Sequence, residues 1–189
     1  DGLLPIAPDR QVAVIGPLAD DRDAPLGCWR CVGKTRDVET VLDGMRALWQ
    51  ENLAYALGCS IEGEDTDGFA EAVEAARRAD VAVMVLGESA GMSGEAKCRA
   101  HLNLPGQQQA LLEAVHATGT PVIVVLLAGR PLALPWMAEH VPAILVAWHG
   151  GIRAGRAVAD ILSGAVEPSG RLTASFPRAV GQVPVYYAH

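Results

Sequence analysis

Two glutamates, a lysine, an arginine and a histidine share one stretch, GESAGMSGEAKCRAHLNLPG, from Gly87 to Gly106. Carboxylates such as Glu88 and Glu95 are what glycoside hydrolysis uses in pairs, one as acid and one as anion. A general acid must hold its proton near neutral pH, which calls for a partly desolvated carboxyl. Either glutamate reads equally well as a solvated loop carboxylate, because charged side chains mostly stay at the surface. The stretch also contains Gly87-Glu88-Ser89-Ala90-Gly91, a formal match to the G-x-S-x-G nucleophile elbow, with His140, His149 and His189 downstream. An elbow needs a helix at the serine, whereas the next helical pattern begins near Gly106, after Pro105.

The elements that must position this stretch are legible as apolar runs. VAVIG (Val12–Gly16), VAVMVLG (Val81–Gly87), PVIVVLLAG (Pro121–Gly129) and AILVAW (Ala143–Trp148) are continuous rather than alternating. Continuous β-branched runs mark strands covered on both faces, as in parallel sheets. Between them lie helical stripes: Val41, Met45, Leu48 and Trp49; Phe69, Val73 and Ala76; Leu111, Leu112 and Val115; and Val158, Ile161 and Leu162. Alternating strand and helix predict a doubly wound, mostly parallel sheet with helices on both faces, an α/β sandwich of the flavodoxin-like kind. Residues 1–189 read as a single domain, with no internal repeat or linker. Ligands gather at the carboxyl ends of such strands. The tracts GPLADDRDAPLGCWR, GESAGMSGEAKCR, AGRPLALPW and WHGGIRAG are therefore expected along one edge. Gly87–Gly106 is far longer than the ~2–6 residues a strand–helix connector needs, which marks it as functional.

Composition narrows the chemistry. The net charge of −7 and the few aromatics argue against nucleic acid. The longest apolar runs fall short of the ~20 residues that span a bilayer, so no membrane is expected. There is no G-x-G-x-x-G fingerprint and no Walker lysine motif, so no nucleotide cofactor is expected. CWRC (Cys28–Cys31) has the spacing of redox and zinc motifs, but no second Cys or His pair accompanies it. It reads as small residues packed in a loop, with no metal expected. The chain opens at DGLLPIAPDR without a methionine, as a processed or excised piece would, so the lack of a leader leaves the compartment open.

Longer patterns carry a resemblance. LLPI and VAVIGPLADD open the chain, DVAVMVLGESAGMSGEA leads into LNLPGQQQALLEAV, and TGTPVIVVLLAGRPLAL follows. The end, DILSGAVEPSGRLTASFPRAVGQVPVYYAH, is the most specific part. Together they resemble the second, α/β-sandwich domain of family 3 glycoside hydrolases, of the periplasmic β-glucosidase type. The resemblance implies a retaining, exo-acting β-glycosidase acting on a β-glucoside or oligosaccharide, without a cofactor. It implies that the nucleophilic aspartate belongs to a preceding (β/α)8 barrel, while a loop of this domain supplies the general acid/base. Counted back from LNLP, the glutamate of GEAKCR, Glu95, falls at the acid/base position. Glu88 falls on a GE pair that is not the catalytic acid. Trp29, Arg30, Met92 and Arg99 would line the sugar pocket, and a periplasmic or secreted location is implied, with a cytoplasmic one still open.

Two positions depart from the pattern. His101 stands where an Asp often follows the arginine, and Arg153 stands where Glu is usual in the tract after the last strand. A (β/α)8 barrel needs about 250 residues, so it has no room in this chain, and the nucleophile is expected to be absent from it. The barrel-facing edge is expected to expose apolar surface, with Trp29, Met92 and Trp136 as candidates. The competing reading keeps the fold as a non-catalytic sugar-binding or interaction module.

Overall fold

A computed structural model describes residues 2–186. Five strands, β1 (Val12–Ile15), β2 (Leu53–Ala56), β3 (Val81–Gly87), β4 (Val122–Leu127) and β5 (Ala143–Val146), form one sheet in the order β2-β1-β3-β4-β5. Every pairing is parallel. Five helices connect or follow them: α1 (Val41–Trp49), α2 (Phe69–Arg77), α3 (Gln108–His116), α4 (Pro135–His140) and α5 (Ala154–Leu162). The predicted α/β sandwich is the observed one.

Each central strand buries both faces, which is why its run is continuously apolar. Alternate residues serve opposite layers. Val12, Val14, Val83, Val85, Ile123 and Val125 pack with Val41, Leu42, Met45 and Trp49 of α1 and Val158 and Leu162 of α5. Ala13, Ile15, Met84, Leu86, Val124 and Leu126 pack with Ala72 and Ala76 of α2, Leu111, Leu112 and Val115 of α3 and Met137 of α4.

Two elements lay beyond the sequence reading. LAYA, which forms β2, is a four-residue edge strand with only Ala56 buried, so it lacks a continuous apolar run. Helix α4 has six residues and begins at Pro135, which suits the first helical turn because no donor is lost there. Trp136, expected as exposed surface, is half-buried on α4, stacked on His140 at 4.4 Å and edge-on to His116 at 5.3 Å. No helix among the described residues is long and apolar enough to cross a membrane.

The order β2-β1-β3-β4-β5 reverses direction between β1 and β3. The connections leaving those two strands therefore run to opposite sides of the sheet, and a switch point of this kind, at the carboxyl ends, is where such folds bind ligands. Both strand ends reach it through glycine. Gly87 has φ +139°, and a Cβ there would stand 1.8 Å from the Leu127 carbonyl oxygen.

Candidate active site

The four tracts after β1, β3, β4 and β5 do meet at one edge, and their contacts are specific. His149, beyond β5, accepts or donates at both ring nitrogens: Nδ1 lies 2.7 Å from the Ala24 carbonyl oxygen and Nε2 lies 3.3 Å from Ser93 Oγ. A carbonyl only accepts, so Nδ1 carries the proton. In the neutral ring Nε2 then accepts the Ser93 hydroxyl. This joins the β1, β3 and β5 loops. Gly27, Gly129 and Gly94 provide the room: added Cβ atoms there would meet the His149 ring, Ser93 Oγ and Cys28 Sγ, at 2.7, 2.0 and 2.4 Å.

Glu88 and Glu95 part company within this edge. Glu88 is fully buried, so the reading of it as a solvated carboxylate is overturned. Its Oε1 accepts from Arg99 Nη1 at 2.7 Å, and Arg130 Nε approaches the two carboxylate oxygens at 3.2 and 3.3 Å. Its backbone N–H donates to the Leu127 carbonyl at 2.8 Å. Behind it, Gln108 of α3 holds the Gly87 peptide from both sides, accepting its N–H at 2.8 Å and donating to its C=O at 2.9 Å. Two guanidiniums facing one carboxylate make burial tolerable, because each charge finds a close counter-ion and directed hydrogen bonds.

Glu95 is exposed, and its carboxylate makes no hydrogen bond or ion pair among the described residues. Its backbone is nonetheless constrained. The Lys97 N–H donates to the Gly94 carbonyl at 3.2 Å, closing a turn around Glu95. Gly94 has φ +123° and Ala96 has φ +57°. Left-handed backbone is natural for glycine and uncommon for alanine, where it costs about 1 kcal/mol or more.

Trp29 is 73% exposed, and its Nε1 lies 3.8 Å from where a Cβ of Gly94 would stand, so the indole flanks the Glu95 turn. Arg30 is ion-paired with Asp23 in the same loop. Met92 is half-buried, and its carbonyl accepts from Arg130 Nη2. Arg99, expected at the sugar pocket, aims its guanidinium at Glu88 and at the Asn103 carbonyl, 3.0 Å away. His101 is exposed, and Arg153 pairs with Glu39 at 3.2 Å on the solvent side of α5.

The elbow geometry is not formed. Ser89 precedes a single 3-10 turn, Ala90–Met92, instead of a helix, and its backbone is extended (φ −67°, ψ 158°). Of the three histidines, His149 binds Ser93, His140 Nδ1 contacts the Trp136 carbonyl at 2.8 Å, and His189 lies outside the described residues. Cys28 and Cys31 are exposed rather than buried, although Cys28 Sγ lies against Gly94. No group of three or more potential metal ligands occurs among the described residues.

Three contributors to this edge escaped the sequence reading: Gln108, Arg130 and the Ser93–His149 pair. LPGQQQ and AGRPL were visible as flanks of strands and helices, but nothing local says that their side chains converge on Gly87 and Glu88.

Both the sequence and the fold have counterparts among known proteins. The model of the glycosyl hydrolase family 3 C-terminal domain matches residues 1–189. A beta-xylosidase of Formosa agariphila is 45% identical over 195 residues, covering 99% of this chain and 27% of that protein. A periplasmic beta-glucosidase of Salmonella typhimurium is 40% identical over 208 residues, covering 98% of this chain and 27% of its own length. Among solved structures, the beta-glucosidase of Listeria innocua in complex with glucose superposes with a TM-score of 0.93 at 38% identity, over 99% of this chain and 26% of that one. The chain thus spans about a quarter of the length of these relatives.

Proposed function

The chain belongs to the glycosyl hydrolase family 3 C-terminal domains, and from that premise we propose that residues 1–189 form one domain of a retaining, exo-acting β-glycosidase, with Glu95 as its general acid/base. The observation that carries this is the contrast between the two glutamates. Glu88 is consumed by two arginines, whereas Glu95 is exposed, without a partner among the described residues, on a turn with left-handed backbone at Ala96. A carboxylate left unpaired among the described residues, on a backbone held in a costly conformation, supports a role in chemistry outside this fold.

The reaction needs a second carboxylate about 5–5.5 Å away, across the scissile bond. That group belongs to the part of the enzyme beyond this segment, taken as a (β/α)8 barrel. In the first step the barrel carboxylate attacks the anomeric carbon while protonated Glu95 gives its proton to the leaving oxygen. In the second, the Glu95 carboxylate takes a proton from water, which attacks the anomeric carbon and releases the sugar. Trp29, beside Gly94, and Met92, just before the turn, would help to complete the pocket, and the relatives' names point to β-glucosides or β-xylosides as substrates.

Leaving-group dependence tests the assignment. In the full-length enzyme, Glu95→Gln should lower kcat/KM on phenyl β-glycosides by about 100-fold or more, the usual worth of a general acid. It should largely spare 2,4-dinitrophenyl β-glycosides, whose leaving group departs without a proton. Equal activity of the variant and the wild type on the phenyl glycoside would leave the sugar-binding module as the better reading.

A further inference from the structure

Glu88 is the one carboxylate among the described residues that is fully buried, and the reaction proposed above gives it no proton to move. Its contacts explain what it does. Arg99 binds it from the returning limb of the long loop and anchors itself again on the Asn103 carbonyl. Arg130 binds it from the loop after β4 and donates its outer N–H to the Met92 carbonyl on the outgoing limb. Met92 and Arg99 are the two feet of the segment that carries Glu95. One buried carboxylate therefore holds both feet, and the Gln108 bonds fix the Gly87 peptide from which it projects.

We propose that Glu88 is a positioning residue for Glu95: through Arg99 and Arg130 its carboxylate clamps both feet of the loop that carries the acid/base. This rests on the assignment of Glu95 above. The argument is electrostatic as well as steric. Removing the Glu88 charge leaves two partly buried guanidiniums, 16% and 19% exposed, without the carboxylate that both of them bind. Such an uncompensated pair of like charges relaxes by moving apart, which shifts the loops that bear them. Displacement of a catalytic group by about 1 Å costs on the order of 100-fold in rate.

The test uses the full-length enzyme and the same two substrates, phenyl and 2,4-dinitrophenyl β-glycosides of the sugar that the wild type hydrolyses. Glu88→Gln should lower kcat/KM on the phenyl glycoside by about 30–100-fold and on the dinitrophenyl glycoside by less than about 3-fold, because only the former needs the proton. The double variant Glu88→Gln/Glu95→Gln should be no slower on the phenyl glycoside than Glu95→Gln alone, since Glu88 acts through Glu95. If Glu88→Gln does not fold, Arg130→Lys is measured in its place. It keeps a positive charge beside Glu88 but cannot bridge to Met92, and the same leaving-group split is expected. Equal losses on both substrates, or independent losses in the double variant, overturn the clamp. If Glu95→Gln itself shows no leaving-group dependence, the assignment of Glu95 fails and the clamp falls with it.

Discussion

Glu88 and Glu95 leave the same strand and end in opposite environments, and the difference lies in their partners. A buried carboxylate survives only beside counter-charges, so Glu88 depends on Arg99 and Arg130. Cys59 shows the same rule acting on a group without such a partner. It is buried near the start of the loop after β2, and burial first, with the Asp65 charge second, pushes its thiol up from 9.0 to about 11. The native thiol stays protonated while the unfolded one ionises, so the native state binds more protons. Stability is thus expected to be intact below pH 9 and to fall as pH rises from about 9 to about 11. Reactivity follows, because the thiolate is the nucleophile. In the reduced protein at pH 8, Cys28, Cys31 and Cys98 should react with a disulfide reagent, while Cys59 should react only after denaturation. Four fast thiols in the native chain would contradict its burial.

At the scale of elements, the helix pair α1 and α5 shows what the sequence conveys and what it withholds. The stripes Val41, Met45, Trp49 and Val158, Leu162 announce two helices that bury one face, and the structure forms both. Thr40 caps α1 in a capping box with Asp43, a pattern readable from the residues alone. That Gly44 and Gly155 meet is not readable, because the contact joins helices more than a hundred residues apart. A Cβ on Gly155 would stand 1.8 Å from the Thr40 carbonyl oxygen, and its N–H donates to the Glu39 carbonyl at 3.0 Å. Gly155→Ala must therefore force α5 away from the start of α1. It should destabilise the chain by about 3 kcal/mol, at the upper end of overpacking, as read by urea denaturation. An exposed alanine such as Ala100 replaced by Gly, measured alongside, should stay within about 1 kcal/mol. The same division holds for the site. Long apolar runs gave four strands and placed four loops on one edge, because burial on both faces writes itself into every residue. The short edge strand β2, the six-residue α4 and the convergence of Gln108 and Arg130 on Glu88 depend on distant partners. Local sequence records none of them.

At the scale of the whole molecule, the proposal gives this chain one carboxylate of a reaction that needs two. Glu95 is exposed, Trp29 beside its turn is 73% exposed, and Val32, three residues on from Trp29, is 86% exposed. An exposed indole beside the turn of a carboxylate that has no partner among the described residues contributes little to this fold, and aromatic side chains contribute most where another surface covers them. Residues 1–189 alone should therefore show no turnover of aryl β-glucosides or β-xylosides. Mixing them with the remainder of the enzyme as a separate polypeptide should restore turnover, with a rate that Glu95→Gln removes on phenyl glycosides. Trp29→Ala divides the roles further. It should leave the denaturation midpoint of the isolated chain nearly unchanged, within about 0.5 kcal/mol, as expected of an exposed side chain. In the reconstituted mixture it should weaken either the association or KM, because both are read at the surface that the indole presents. Turnover by the isolated chain, abolished by Glu95→Gln, would mean that this fold supplies its own second carboxylate. Asp21 and Asp23, in the loop that carries Trp29, would then be the first residues to replace.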